Sequence, residues 1–197
     1  MDQDLELLIG KIRFDEYRRG VNFGDENLVY RYYKLDLELR GIFIKSVGIV
    51  EHRLSTHLHL EHLAGHSMTF GNLRRLYSSK GAKDRFEISR RFGMNNQKEL
   101  DALLASLNAF RNRAAHHERI WNYRVQLAVP KAALTPQPGE LGAVESPFSL
   151  AANLVGIQRF MSIQPLHLPL DFEVTAALQQ SGLDRNYVMK NMGFEVP

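Results

Sequence analysis

The spacing of apolar residues predicts helices along most of the chain. Over residues 25–63, apolar side chains recur every three or four positions with charges between them, which is typical of one long amphipathic helix. Gly65 is expected to end it. A second long pattern follows Asn95 or Asn96, either of which can cap a helix. Its buried stripe is predicted to consist of Leu100, Leu103, Leu104, Leu107, Phe110 and Ala114.

Shorter patterns fill the rest of the chain. One amphipathic helix is predicted to end near Gly20, with a buried face made of Leu5, Leu8, Ile9 and Ile12. Further helices are predicted over residues 72–79, 84–92, 148–161 and 171–180, the last stopping at Gly182 and leaving a short tail. Strand signals are sparse, and the best covers residues 123–129. Residues 130–147 are rich in proline and glycine, which indicates a loop or hinge.

These elements favour an all-α bundle organised around one long spine helix. We expect a helical core over residues 1–129, the loop or hinge over 130–147, and helices over 148–197 that pack on the core as part of the same domain. A chain of 197 residues is long enough to bury a substantial core of this kind.

Composition narrows the function only slightly. The formal charge of +3 permits binding to a polyanion without predicting it, and the absence of cysteine excludes disulfides and thiolate metal sites. No apolar run approaches the length of a membrane span. Residues 1–20 carry too many charges for a signal peptide, so a cytoplasmic protein without membrane contact is expected.

Residues 110–122 hold the densest polar chemistry in the chain and form the candidate active site. Asn112 and His116 are four residues apart and share one helix face, so the Asn112 amide is predicted to reach and orient the imidazole. Arg111 can swing toward the same patch. A guanidinium suits phosphate oxygens, and an imidazole exchanges protons near neutral pH. Arg111, Asn112 and His116 are therefore the predicted catalytic residues for cleavage of a phosphodiester.

The surroundings of the motif favour chemistry without a metal or other cofactor. Glu118 is the only acid between Asp101 and Pro130, whereas a two-metal nuclease clusters its carboxylates. Without a metal, the 2′-hydroxyl of RNA is the best-placed nucleophile. Five further histidines follow no metal-binding motif and are expected to be exposed: His52, His57, His59, His62 and His66.

The motif also resembles a known family. Arg111, Asn112 and His116 match the R-x4-H signature of HEPN ribonucleases, and the longer run through Ala115, His117, Arg119, Ile120, Trp121 and Asn122 looks like the Abi-like, abortive-infection branch. The long helix, with Tyr33, Asp36, Leu39, Arg40 and Glu51, is similar too. The resemblance implies an all-α ribonuclease that acts in phage defence or as a toxin. It also implies a homodimer that meets through the motif helix, and association with a small structured RNA.

Supporting roles stay open for several neighbours. Glu51 is expected either to orient the motif arginine, as the resemblance implies, or to form an ordinary surface ion pair. Arg113 and Arg119 bind RNA backbone or lie on a solvated face. His117 is expected to be structural or to contact phosphate, with catalysis as the less favoured alternative. The remaining two are assigned to packing: Trp121 as an anchor rather than a base-stacking platform, and Asn122 as a brace for the turn.

Counting the catalytic groups points to a dimer. Transesterification needs a base, an acid and positive charge on the phosphorane, and one protomer offers a single well-placed histidine and arginine. A twofold axis doubles both. The expected products carry a 2′,3′-cyclic phosphate and a 5′-hydroxyl. The alternatives are a non-catalytic RNA-binding module that uses its arginines as phosphate clamps and, ranked last, a nucleotide-transferring enzyme, for which no glycine-rich loop is present.

Overall fold

The computed structural model describes residues 2–21, 25–59, 68–135, 141–162 and 170–196. Within these ranges there is no β-strand, only two isolated bridges, Arg124 with Ser149 and Val144 with Phe194. The all-helical prediction is confirmed, and the strand considered for residues 123–129 is wrong. The helices are α1 (Asp2–Ile9), α2 (Lys11–Gly20), α3 (Glu26–His57), α4 (Phe70–Ser79), α5 (Ala82–Arg91), α6 (Gln97–Ala115), α7 (Leu150–Ser162), α8 (Leu170–Ser181) and α9 (Arg185–Met192), with a 3₁₀ turn at Lys131–Ala133.

Helix α3 is the spine. Its 32 residues make it about 48 Å long, and both α6 and α8 pack along it. The side chain of Asp25 caps its first turn by accepting a hydrogen bond from the Leu28 amide at 2.7 Å. The helix ends at His57, earlier than its periodicity predicts. Gly65, the expected stop, lies outside the described residues.

The amino-terminal helix is broken where the sequence predicts continuity. Gly10 adopts φ +80°, which separates α1 from α2 and changes the direction of the apolar face. Of the predicted buried residues, Ile9 is buried, whereas Leu8 is 72% and Ile12 84% exposed. That part of the prediction is wrong, and the side chain of Leu5 lies outside the described residues. Helix α2 instead packs on α3 with Phe14 and Tyr17.

Helix α6 carries the motif and follows its prediction closely. Asn96 caps it by accepting from the Glu99 amide at 3.1 Å, and the Glu99 carboxylate accepts from the Asn95 amide at 2.7 Å. This reciprocal pair resembles a capping box, which fixes where the helix begins. The predicted apolar stripe is buried. The helices predicted just before it, α4 and α5, are confirmed with ends shifted by one or two residues.

The carboxyl-terminal part contains one more helix than the sequence analysis predicts. α7 and α8 match their patterns, but the expected tail is the short helix α9, capped by Asp184 through the Tyr187 amide. It ends at Gly193 in the left-handed region, where a Cβ would collide with the Ser149 side chain. The described helices include none that is long and apolar enough to cross a membrane.

Candidate active site at the end of the motif helix

The chain reverses sharply at the end of α6. His116 is the C-cap residue, and His117 follows in the left-handed region with φ +58°. The His117 amide donates to the Ala114 carbonyl at 3.1 Å, and the Glu118 amide donates to the Arg113 carbonyl at 2.9 Å. These two bonds form a Schellman motif, whose left-handed position usually holds glycine. Both histidines therefore lie exposed on a tight turn, and His117 holds a conformation that costs an ordinary residue about 1–2 kcal/mol.

Arg111 points outward and is held by the spine. Its Nε donates to Glu51 Oε1 at 3.3 Å, and the two side chains are 32% and 26% exposed. The ion pair between these residues is present, and it agrees with both expectations for Glu51. Because the bond uses Nε, the two terminal Nη groups face no described hydrogen-bond partner. Such a guanidinium is oriented and still able to contact a phosphate.

His116 and Asn112 both have exposed side chains. The His116 amide donates to the Asn112 carbonyl at 2.9 Å, which continues the last helical turn into the cap. The His116 carbonyl accepts from Nη2 of Arg13 on α2 at 3.3 Å. No hydrogen bond joins the Asn112 amide group to the imidazole, so the predicted contact is not found. Backbone bonds, rather than Asn112, fix the position of His116.

The Arg113 guanidinium contacts residues of its own turn rather than the spine helix. Its Nε and Nη2 each donate to the Arg119 carbonyl at 3.3 Å, and its Nη1 lies 2.7 Å from the Glu118 carboxylate. The guanidinium also stacks 3.7 Å from the centroid of the Tyr123 ring. These contacts close the turn on itself. Arg113 is therefore part of the framework of the loop.

Arg119 holds the loop to α2. Its Nη1 donates to the Glu16 carbonyl at 2.8 Å, at the carboxyl-terminal end of a helix, where a cation is favoured by the dipole. The guanidinium lies against Gly20 so closely that any Cβ there would collide with it. Asn122 packs beside the same glycine. This partly buried position is not the solvated face considered for Arg119, and contact with RNA stays a prediction.

A buried carboxylate on the spine helix binds the backbone of the turn, and we call this contact the clamp. Asp36 Oδ1 accepts from the backbone amides of Ile120 and Trp121 at 2.9 and 2.8 Å. Its Oδ2 accepts from the Tyr17 hydroxyl at 2.5 Å and lies 3.3 Å from Nε of Arg40. This fully buried carboxylate thus accepts three hydrogen bonds and pairs with a guanidinium.

The titration of these groups follows from burial. Burial raises the pKa of Asp36, and the hydrogen bonds from Tyr17, Ile120 and Trp121 and the charge of Arg40 oppose that effect. Burial first, and then the adjacent Asp36, raise the pKa of Tyr17 well above its usual value. Tyr17 therefore stays protonated and remains a hydrogen-bond donor.

Trp121 is a packing anchor, as expected. It is fully buried and stacks on Tyr32 with ring centroids 4.7 Å apart. Sequence reasoning named Asp36 only as a point of resemblance and missed its role under the turn. The signal was an acid in the apolar stripe of α3, four residues before Arg40 and next to Leu35.

The other histidines form no metal centre in the part of the chain that the structure describes. No group of three or more His, Asp or Glu residues is close enough there to hold an ion. His52 and His59 are exposed as predicted, whereas His57 is half-buried. Burial and the nearby charges of Arg91 and Arg53 lower the pKa of His57. His62 and His66 lie outside the described residues.

Comparison with known protein families supports the Abi-like part of the resemblance over part of the chain. Residues 61–122 match the sequence model of the Abi-like protein family. The matched segment is about a third of the chain and includes α4, α5, α6 and the turn through Asn122. It supports a link to abortive infection. A comparison with curated proteins gave no match, and neither did a comparison with solved structures.

Proposed function

We propose that this protein is a metal-independent endoribonuclease of an abortive-infection or toxin-type phage defence system, of the kind that HEPN ribonucleases represent. His116 exchanges the protons, Arg111 holds the scissile phosphate, and Asn112 contacts the same substrate. The working enzyme is a homodimer that places two motif helix ends around one RNA strand.

One observation carries the proposal: the basic side chains of the motif segment divide into two groups that have different contacts. His116 is exposed at the end of α6, and the partly exposed Arg111 is paired with Glu51 of the spine. Arg113 and Arg119 are turned inward and bonded to the loop and to α2. A helix end that only complemented its dipole would need no arginine paired with a glutamate of another helix in the same segment as an exposed imidazole. The guanidinium suits binding of a phosphate, and the imidazole suits proton transfer.

The reaction follows from these groups. One imidazole accepts the proton of the 2′-hydroxyl as that oxygen bonds to phosphorus. The bond from phosphorus to the 5′-oxygen breaks, and the second protomer's imidazolium protonates the leaving oxygen. The Arg111 guanidinium of each protomer balances the extra negative charge on the phosphorane. The products are a 2′,3′-cyclic phosphate and a 5′-hydroxyl.

The alternative function is a non-catalytic RNA-binding module. It depends on Arg111, Arg113 and Arg119 acting together as phosphate clamps. The engaged positions of Arg113 and Arg119 leave that surface with one of its three arginines, which favours the enzyme. Association with a small structured RNA remains a prediction from the resemblance.

The test is cleavage of a mixed structured RNA in the presence of a chelator. We expect cyclic phosphate ends from the unmutated protein and a roughly 10²- to 10⁴-fold slower reaction from His116→Ala. His59→Gly, which removes another exposed imidazole outside the motif, serves as the control and should cleave normally. Fragments with 3′-hydroxyl and 5′-phosphate ends would refute the mechanism. Tight, salt-sensitive RNA binding by both His116 forms without cleavage would favour the binding module.

A further inference from the structure

Two contacts fix how α4 lies along the motif helix α6. The Oδ1 atom of Asn108 lies 3.7 Å from the place that a Cβ on Gly71 would take. At the other end of α4, the Ser78 hydroxyl donates to the Asp101 carboxylate at 3.2 Å. The later residue of α4 thus contacts the earlier residue of α6, so the two helices are antiparallel. The end of α6 that carries the motif therefore lies toward the beginning of α4.

Polar residues on α6 lead from the motif to this contact. Asn108, Asn112 and His116 are spaced by four residues and follow one face of the helix. Neither asparagine is buried, and neither side-chain amide forms a hydrogen bond with a described residue. Asparagine is disfavoured inside a helix, because its amide competes for the backbone. Each of these amides can bind a group from outside the chain.

Arg75 continues this polar surface on α4. It lies four residues after Gly71 and three before Ser78, so it shares the side of α4 that meets α6. Its side chain is exposed and forms no ion pair with a described residue. Asp101, the acid of the contact on α6, is already paired with Arg85. We call the resulting set the α4–α6 row, and it consists of Asn112, Asn108 and Arg75.

Positive charge is concentrated at the Arg75 end of the row. Residues 74–91, the second half of α4 and all of α5, hold seven lysines and arginines and two acids, a formal charge of +5. Because the whole chain carries +3, the other residues together carry −2. Lys83 and Arg90 are exposed in this segment, as Arg75 is. A polyanion that reaches His116 is therefore drawn along α6 toward α4 and α5.

We propose that the α4–α6 row binds unpaired RNA beside the candidate site. Asn108 hydrogen-bonds the edge of a base, and Arg75 binds a phosphate of the same strand. Asn108 lies about 12 Å from His116 along the helix axis, so the row contacts nucleotides beyond the two that the scissile phosphate joins. That this strand is the substrate rests on the proposed function, whereas its binding can be measured without cleavage.

The chemistry of the row explains why the RNA is unpaired. A side-chain amide presents a donor and an acceptor side by side, which matches the donor and acceptor groups on the edge of a base. In an RNA duplex the bases are paired and the major groove is too narrow for side chains to read, whereas a single strand exposes its base edges. The guanidinium of Arg75 supplies the phosphate contact, which does not depend on the base.

Binding is tested in the full chain carrying His116→Ala, in a chelator, so that the RNA stays intact. The probe is a fluorescent, unstructured RNA of mixed sequence and about twelve nucleotides. Asn108→Leu removes the amide at similar volume and should weaken binding about fivefold without changing its salt dependence. Arg75→Gln should also weaken binding about fivefold and lower the slope of log K against log salt concentration by about 0.7, the value for one phosphate contact.

Matched controls come from α9. Asn186→Leu and Arg185→Gln make the same two changes at exposed positions outside residues 74–91. Each should alter the affinity for the probe by less than about twofold. Circular dichroism and thermal unfolding establish that all four variants remain folded. A duplex of the same sequence should compete for the protein roughly tenfold less well than the single strand.

Cleavage kinetics separate a contact with RNA from a structural role. In the protein that retains His116, Asn108→Leu should raise the RNA concentration that half-saturates the cleavage rate about fivefold. The rate at saturation should stay within about twofold of the parent, because the proton-transferring group is unchanged. A change that only disturbed α6 would lower the rate at saturation and the unfolding temperature as well.

The outcomes separate the row from the proposed function. Weaker binding by Asn108→Leu and Arg75→Gln, with normal binding by both controls, supports the row. Normal binding by a folded Asn108→Leu protein, an unchanged salt slope in Arg75→Gln, or equal competition by duplex and single strand would overturn it. Normal cleavage by both row variants would overturn the row and preserve the ribonuclease. Binding that depends on the row, by a protein that leaves RNA intact, would refute the ribonuclease and preserve the row.

Discussion

The two sides of the motif turn differ in what their charged residues contact. On the outer side, the His116 side chain is exposed, and the partly exposed Arg111 forms an ion pair with Glu51 of the spine. On the inner side, Arg113 and Arg119 are bonded to carbonyls and carboxylates of the loop and of α2. The same short run of sequence thus supplies both the framework of the turn and the side chains of the candidate site. The number of arginines in a motif does not by itself identify a catalytic site, because the partner of each side chain decides its role.

The largest expected effect is on the buried clamp. Asp36→Asn keeps the shape but replaces an acceptor with a donor facing Arg40 and removes the charge that balances it. We expect a loss of about 3–5 kcal/mol in the free energy of unfolding, as for other broken buried ion pairs. Urea denaturation followed by circular dichroism measures it. Asp25→Asn, at the exposed cap of α3, should change the stability by less than 1 kcal/mol. Similar losses at the two sites would contradict a special role for Asp36.

Substitution of Arg113 should lower stability, whereas substitution of Arg111 should lower activity. Arg113→Lys loses the paired bonds to the Arg119 carbonyl and the planar stack on Tyr123, so we expect a destabilisation of about 1–3 kcal/mol. Arg111→Lys should change the free energy of unfolding by less than about 0.5 kcal/mol and still slow RNA cleavage, because it loses the forked guanidinium. Urea titrations and cleavage rates on the same protein samples give both quantities. If Arg111→Lys proves the more destabilising change, the assignment of inner and outer roles is wrong.

Glu51→Gln should act on activity more than on stability. The ion pair with Arg111 is partly exposed, and such pairs contribute about 0–1 kcal/mol. The neutral amide still accepts a hydrogen bond but holds the guanidinium less firmly, so we expect roughly tenfold slower cleavage. Single-turnover kinetics at saturating RNA separates this effect from weaker binding. A normal rate would reduce Glu51 to an ordinary surface partner.

The smallest expected effect has the opposite sign. His117→Gly relieves the left-handed strain at the Schellman position and should raise the free energy of unfolding by about 1 kcal/mol. Cleavage should stay unchanged if His117 is structural. His117→Ala keeps the strain and removes the imidazole, and it provides the matched comparison for activity. Loss of cleavage in both variants would move His117 to the catalytic side of the turn.

The sequence predicts the long elements well because their signals repeat over many turns. Helices α3 and α6 contain enough periodic apolar residues to be predicted from the sequence, and Asn96 marks the start of α6. The break at Gly10 was not predictable in the same way. A helix tolerates one glycine, and its positive φ depends on how α2 packs against α3. Helix α9 has eight residues and buries only Val188 and Met192, which is too short a pattern to distinguish from a tail.

The residues of the candidate site were predicted only where the signal is local in sequence. Arg111 and His116 stand out by their local spacing, and Trp121 was recognised as a packing residue. The direction of Arg119 depends on Glu16, which is 103 residues away in sequence. The clamp at Asp36 depends on partners 84 and 85 residues away. Local patterns carry no information about such pairs.

The hydrogen bonds to Asp36 also have a consequence for the exchange of amide protons with solvent. Amides in surface turns usually exchange quickly, because small local openings suffice. The amides of Ile120 and Trp121 are buried and bonded to a carboxylate on α3, so exchange requires this segment to separate from the spine. We expect their protection to approach that of the core of α3. The turn that carries the candidate site would then open only when it separates from α3.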